Sequence, residues 1–192
     1  MTGTFEIDGG VITASEAKTD YQVQLQLAPA VYSAGTWTVT ESSNVYFVTR
    51  TAATQKDYYT IPIIMPFRTT ADKGAKLKSV TMVVTLGGTI STSNDDIEIN
   101  IIQVTTPEDA STPVGSVLAG DAGADYGTSY DTKAERLTAA THTFTVTIPT
   151  AEQDFIDDGE QLYARLMVED AGSADLTCVL KGAIATFDVN TL

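Results

Sequence analysis

The chain has little of what catalysis or covalent stapling requires. Its 192 residues contain one cysteine, Cys178, and one histidine, His142. A lone cysteine forms no intramolecular disulfide, which argues against a disulfide-stapled secreted module. Cys178 lies in the apolar run 176–180 and reads as a small buried hydrophobe. Zinc sites of the usual ligand spacing are absent. A nucleophilic triad would have only His142 as its base, and His142, opening an alternating stretch at 142–148, is expected at a surface or rim. Positive charge is also scarce: 11 Lys and Arg face 25 Asp and Glu, for a net charge of -14. Such a chain repels phosphate backbones and anionic membrane surfaces, so neither nucleic acid nor membrane is an expected partner. No apolar run approaches the roughly 20 residues of a membrane helix. The opening MTGTFEIDGG has neither the basic start nor the apolar core of a targeting segment. Gly87-Gly88 lacks the lysine and the following helix of a phosphate cradle.

What the chain does have is alternation with a period of two, the mark of half-buried strands. Tyr21, Val23, Leu25 and Leu27 alternate with three glutamines. Val80, Met82, Val84 and Leu86 alternate with Thr81, Val83 and Thr85; Phe144, Val146 and Ile148 alternate with threonines. Leu162, Ala164, Leu166 and Val168 alternate with Tyr163, Arg165 and Met167. Further strands are expected at 36–40, 45–49, 58–65, 97–104, 175–180 and 182–189. Residues 97–102 are apolar on both faces and read as a central strand or as one covered by a partner subunit. Pro62 and Pro66 mark the 58–65 strand as an edge or a bulge; Gly182 marks another bulge. The acidic link 169–175 reads as a hairpin connection. Helix is expected only at 150–156, with Thr150 as cap and Gln153 completing a capping box.

These features predict an all-β protein, a two-sheet antiparallel β-sandwich of jelly-roll-like kind. Residues 1–20 are expected to be an N-terminal arm or first strand, and 21–192 a single sandwich domain. Residues 105–141, rich in Thr, Ala, Gly, Ser and Asp, form a long excursion, with short edge strands expected at 114–119 and 135–137 and an exposed stretch at 121–131 between them. A structureless loop of that length is either functional or conceals further strands. The candidate contact residues are Phe5, Ile7, Val11 and Ile12 in the arm and Tyr126 and Tyr130 in the excursion.

The acid pairs Asp95-Asp96, Asp157-Asp158 and Glu169-Asp170, and the trio Asp121, Asp125 and Asp131, all fall in expected turns. They read as solvated turns rather than as the paired acids of a glycosidase cleft. Asp154, Asp157 and Asp158 are the candidate calcium ligands, because calcium favours loop carboxylates; no other cofactor is expected. Tyr21, Tyr32, Trp37, Tyr46, Tyr58 and Tyr59 could stack on a sugar, but core or interface packing is the ordinary role of such rings.

Residues 58–190 resemble a known family. The Pro-containing strand 59–67, a polar turn at 69–74, the strand 77–84, the Thr/Ser/Gly/Asp excursion and two closing strands ending Gly182-Ala183-Ile184-Ala185-Thr186-Phe187 are similar in order and texture to jelly-roll virion proteins of tailed bacteriophages, the capsid decoration and head-fibre type. The resemblance implies a virion structural protein without catalytic residues. It would be made in the host cytoplasm and assembled into the virion, contacting the capsid protein and copies of itself, most simply as a trimer. The alternative is a carbohydrate-binding jelly-roll module, calcium-stabilised, with a glycan as partner.

Overall fold

The structure is a computed structural model that describes residues 17–28, 30–32, 37–43, 45–64, 75–106, 112–153, 160–172 and 175–191. Alternation becomes strand almost wherever it occurs. The strands are β1 (Ala17–Gln24), β2 (Val31–Tyr32), β3 (Trp37–Ser42), β4 (Val45–Arg50), β5 (Lys56–Ile63), β6 (Ala75–Gly87), β7 (Asp95–Thr105), β8 (Val114–Ala119), β9 (Thr141–Thr147), β10 (Glu160–Asp170) and β11 (Thr177–Thr191). One sheet runs β3-β4-β11-β6-β9, with β1 also on β11; the second runs β2-β5-β10-β7-β8.

From β4 onward the chain is a long hairpin wound upon itself. β4 pairs with β11, β5 with β10, β6 with β9 and β7 with β8, all antiparallel. The seams β11–β6 and β10–β7 join these pairs into two sheets. Eight strands wound in this way define a jelly roll. β11 is 15 residues long and uses one whole edge for β6. Its other edge is divided: β4 takes Cys178–Leu180 and β1 takes the stretch from Ile184 onward. Gly182 sits at a register shift in β11, as its glycine predicted. Pro62 lies beyond the reach of β2, which pairs only with Tyr59 and Thr60, so the missing N–H costs no ladder bond.

The core lies between the inner faces. Val80, Met82, Val84, Phe144, Val146 and Ala185 of the first sheet meet Ile61, Ile97, Ile99, Ile101, Leu166 and Val168 of the second, every one essentially without solvent contact. Each fully buried aliphatic or aromatic side chain contributes about 1.5–3 kcal/mol, and conformational entropy opposes most of the total.

Four local expectations are corrected. The 169–175 link does not close a hairpin: β10 and β11 belong to different sheets, so the link passes from one sheet to the other. The 135–137 segment is not a strand; α1 (Lys133–Arg136) is a single helical turn nucleated by a capping box between Thr132 and Glu135. Of the expected helix at 150–156, residues 154–156 lie outside the described residues, and the start is a 3-10 turn, Thr150–Glu152, with no side-chain cap; the Gln153 amide instead donates to the Ile148 carbonyl at 2.8 Å. The 121–131 stretch is not wholly exposed, since its 3-10 turn Gly123–Tyr126 buries Tyr126.

Candidate functional site

Strand pleat and register together fix which side chains share a surface. On the outer face of the β3-β4-β11-β6-β9 sheet, Thr38, Thr49, Val179, Thr85 and Thr141 lie in one row across five strands. The next row runs Thr40 and Phe47, crosses the β11 bulge at Gly182, and continues to Val83 and Thr143. Then come Gln24, Ile184, Thr81 and Thr145, followed by Gln22, Thr186, Ser79 and Thr147. Paired hydroxyls tie neighbouring strands: Thr81 to Thr145 at 2.9 Å and Thr85 to Thr141 at 2.7 Å.

The electrostatics of this face are unlike those of the chain. Its four rows carry no carboxylate among the described residues, although the chain has 25. Lys181, exposed at the bulge, is the charge next to them. At the far end the charges are paired: Lys78 Nζ meets the Asp20 carboxylate at 2.5 Å, and that bond raises the lysine's affinity for its proton. Such a surface can be covered without stripping water from a charge, which is the step that makes charged faces costly to bury.

The outer face of the other sheet is charged and internally satisfied. Lys56 pairs with Glu169 at 2.7 Å and Lys133 with Asp96 at 3.7 Å. Arg165 donates to the Asn100 amide oxygen at 2.9 Å and lies over the Tyr58 ring at 5.0 Å. Burial, seconded by the Asp96 charge, raises the Glu98 carboxyl above its ordinary range.

Phe5, Ile7, Val11 and Ile12, and the calcium candidates Asp154, Asp157 and Asp158, lie outside the described residues. Among the described residues no group of three or more His, Cys, Asp or Glu side chains is placed to hold a metal ion. Tyr126, expected at a contact surface, is instead 6% exposed. Its hydroxyl accepts from the Ile99 N–H at 2.5 Å and faces the carbonyls of Ile99 and Gly120. Burial pushes that phenol up to about 12. Tyr130 is partly buried, its ring 4.8 Å from Phe144 and 5.7 Å from His142. His142 is not at a rim: it lies on the inner side of β9, buried, its Nε2 held 2.8 Å from the Thr138 carbonyl. Cys178 is buried as expected, and burial pushes its thiol up to about 12.

The early aromatics do not form one platform. Trp37 and Tyr59 are buried against each other at 5.3 Å, while Tyr21 and Tyr46 project from different strands. Asp95 and Asp170 stand opposite each other and are both buried. Asp95 accepts the Ser91 N–H and Asp170 the Leu176 N–H, so each ties an arch. The uncharged face was visible beforehand only strand by strand, as threonines alternating with apolar residues.

The fold and this face define the class of protein: a jelly-roll β-sandwich with one charge-depleted sheet surface. Among described residues, no helix is long and apolar enough to cross a membrane. No family model matches the chain, and no curated protein matches it. Solved structures do. A "xylan-binding module CBM15" is 16% identical, with a TM-score of 0.44 over 89% of this chain and 97% of that one. The structure of infectious bursal disease virus, Gx strain, is 11% identical, with a TM-score of 0.37 over 97% of this chain and 36% of that one. The enzymatically active domain of bacteriophage CBA120 tailspike protein 4 is 7% identical, with a TM-score of 0.34 over 87% of this chain and 19% of that one. These neighbours include both carbohydrate-binding and viral proteins, and at such scores they assign this chain neither role.

Proposed function

We propose that this protein is a non-enzymatic structural component of a virion, which decorates or cements a capsid shell. The observation that carries the reading is the outer face of the β3-β4-β11-β6-β9 sheet. It holds threonine, serine, glutamine, glycine, valine, isoleucine and phenylalanine and no carboxylate in its four rows, within a chain of net charge -14. An acidic protein stays soluble through charge repulsion, and a face without that charge is where a partner can seat at least cost. Five strands at about 4.8 Å and four rows at about 6.8 Å give roughly 600 Å² for one copy. That is near the ~800 Å² per partner of a stable interface, and repetition over a shell adds avidity.

Co-sedimentation with capsid shells assembled from the co-encoded shell protein tests the reading. The wild-type chain is expected in the pellet. The double variant Val179→Glu/Ile184→Lys is expected in the supernatant with its melting temperature nearly unchanged. A wild-type chain that stays in the supernatant defeats the reading.

The alternative is a carbohydrate-binding module, and one observation favours it: Tyr58 and Tyr163 share the outer face of the second sheet, on neighbouring strands, with Arg165 and Asn100 beside them. A glycan would have to displace the Arg165 guanidinium from the Tyr58 ring. Binding on a glycan array that is lost in Tyr163→Ala would establish it in place of the shell.

A further inference from the structure

β9 is the last strand of its sheet, and among the described residues no backbone hydrogen bond occupies its free side. The Ile148 N–H donates to the Lys78 carbonyl at 2.8 Å and the Leu86 N–H to the Ala140 carbonyl at 2.9 Å. Antiparallel ladders alternate, so the even-numbered residues 140–148 face β6. The N–H and C=O groups of Thr141, Thr143, Thr145 and Thr147 therefore point away from it.

The other edges carry the devices that block edge-to-edge pairing. β2 is two residues long, β3 carries Glu41, and β1 carries Asp20. β8 is bulged: Val117 pairs with Ile102 and Ala119 with Ile101, leaving Leu118 over. β9 has none of them. It runs seven residues, Thr-His-Thr-Phe-Thr-Val-Thr, in unbroken register with β6, without charge, proline or bulge.

We propose that β9 pairs with β9 of a second copy of this chain, antiparallel across a two-fold axis. The occupant follows from the edge's own pattern and from charge. The strand reads nearly the same in both directions about Phe144, so a two-fold through Phe144 sets Thr143 opposite Thr145 and Thr141 opposite Thr147 of the second copy. Those are the residues whose backbone groups face outward, so the ladder closes with about eight hydrogen bonds. Their side chains meet as Thr–Thr pairs, a favourable cross-strand combination, and extend the bonded pairs Thr81–Thr145 and Thr85–Thr141 within each copy. Two chains of net charge -14 repel, and an uncharged edge is where they approach at least cost. The product is one continuous sheet through both copies, with the threonine face doubled. It is a two-fold pair, not the trimer that the resemblance to decoration proteins implies. The pairing stands on the edge alone and does not require a shell.

The full chain in solution tests it, by light scattering over a concentration series and by amide hydrogen exchange. The wild type is expected at the mass of two chains, with the Thr143 and Thr145 amides protected and that protection lost on dilution. Thr143→Pro removes an N–H that β6 does not use, and Thr145→Lys adds an edge charge; each is expected at the mass of one chain. Ile184→Lys, on the face but away from the edge, is expected to remain a dimer even where it abolishes shell binding. A wild-type monomer at about 1 mM with fast-exchanging Thr143 and Thr145 amides overturns the proposal. So does a trimer, or a dimer that survives Thr143→Pro.

Discussion

Arg50 and Asp57 are both removed from solvent and joined at 2.7 Å. The guanidinium also donates to the carbonyls of Leu176, Ala53 and Gln55, at 2.9, 2.8 and 3.0 Å, and the Gln55 amide holds the second Asp57 oxygen at 2.6 Å. One side chain thus ties the β4–β5 arch to the start of β11. Breaking a buried pair leaves an uncompensated charge, so Arg50→Met is expected to lose about 3–5 kcal/mol in urea denaturation. Arg50→Met/Asp57→Leu is expected to recover most of that loss, because the stranded carboxylate is gone. Glu98 makes the opposite prediction. Its folded pKa is raised above 4.5, chiefly by burial, so the folded state disfavours the charged form. Glu98→Gln is therefore expected to be more stable than wild type at neutral pH, with the advantage shrinking as pH falls through the folded pKa and gone well below 4.5. Melting temperatures of both proteins from pH 3 to 8 check the sign. Sequence could flag neither residue: Arg50 and Glu98 look like ordinary surface charges, and their burial depends on which strands cover them.

The excursion shows the same limit at the scale of an element. Its 121–131 stretch read as exposed because the composition there carries no periodicity, yet local chemistry orders it. Gly120 has a φ of 102°, and a Cβ there would sit 1.8 Å from the Ile99 carbonyl oxygen. The Asp125 carboxylate takes the Gly120 N–H at 2.7 Å, and the Arg136 guanidinium reaches the Ile97 carbonyl at 3.2 Å and lies over the Tyr126 ring. The segment is thereby stapled to β7. Gly120→Ala is expected to destabilise by more than about 1 kcal/mol and to release the Tyr126 hydroxyl from its partners. The check is chemical denaturation alongside the absorbance titration of that phenol, whose midpoint should fall from about 12. The strands were more legible than their connections. Hydrophobic alternation fixes a strand almost wherever it occurs, whereas a seven-residue acidic link such as 169–175 serves a hairpin or an arch equally well.

At the scale of the whole molecule, the wound hairpin sets both kinetics and surface. β4 meets β11 with Val48 opposite Leu180, so its closure spans about two thirds of the chain. Non-local pairing of this kind folds in milliseconds to seconds; stopped-flow refolding followed by Trp37 fluorescence is expected in the slow part of that range, and complete recovery within a millisecond would contradict it. The sequence by itself determined the strands, which face of each is apolar, and the acidity. Those follow from side-chain chemistry at fixed local spacing. Only the tertiary structure decided which strands are neighbours, which edge stays open, and that scattered threonines join into one uncharged face. Strand pairing is made by backbone groups that are the same at every residue, so the choice of partner is settled by how the two inner faces pack together.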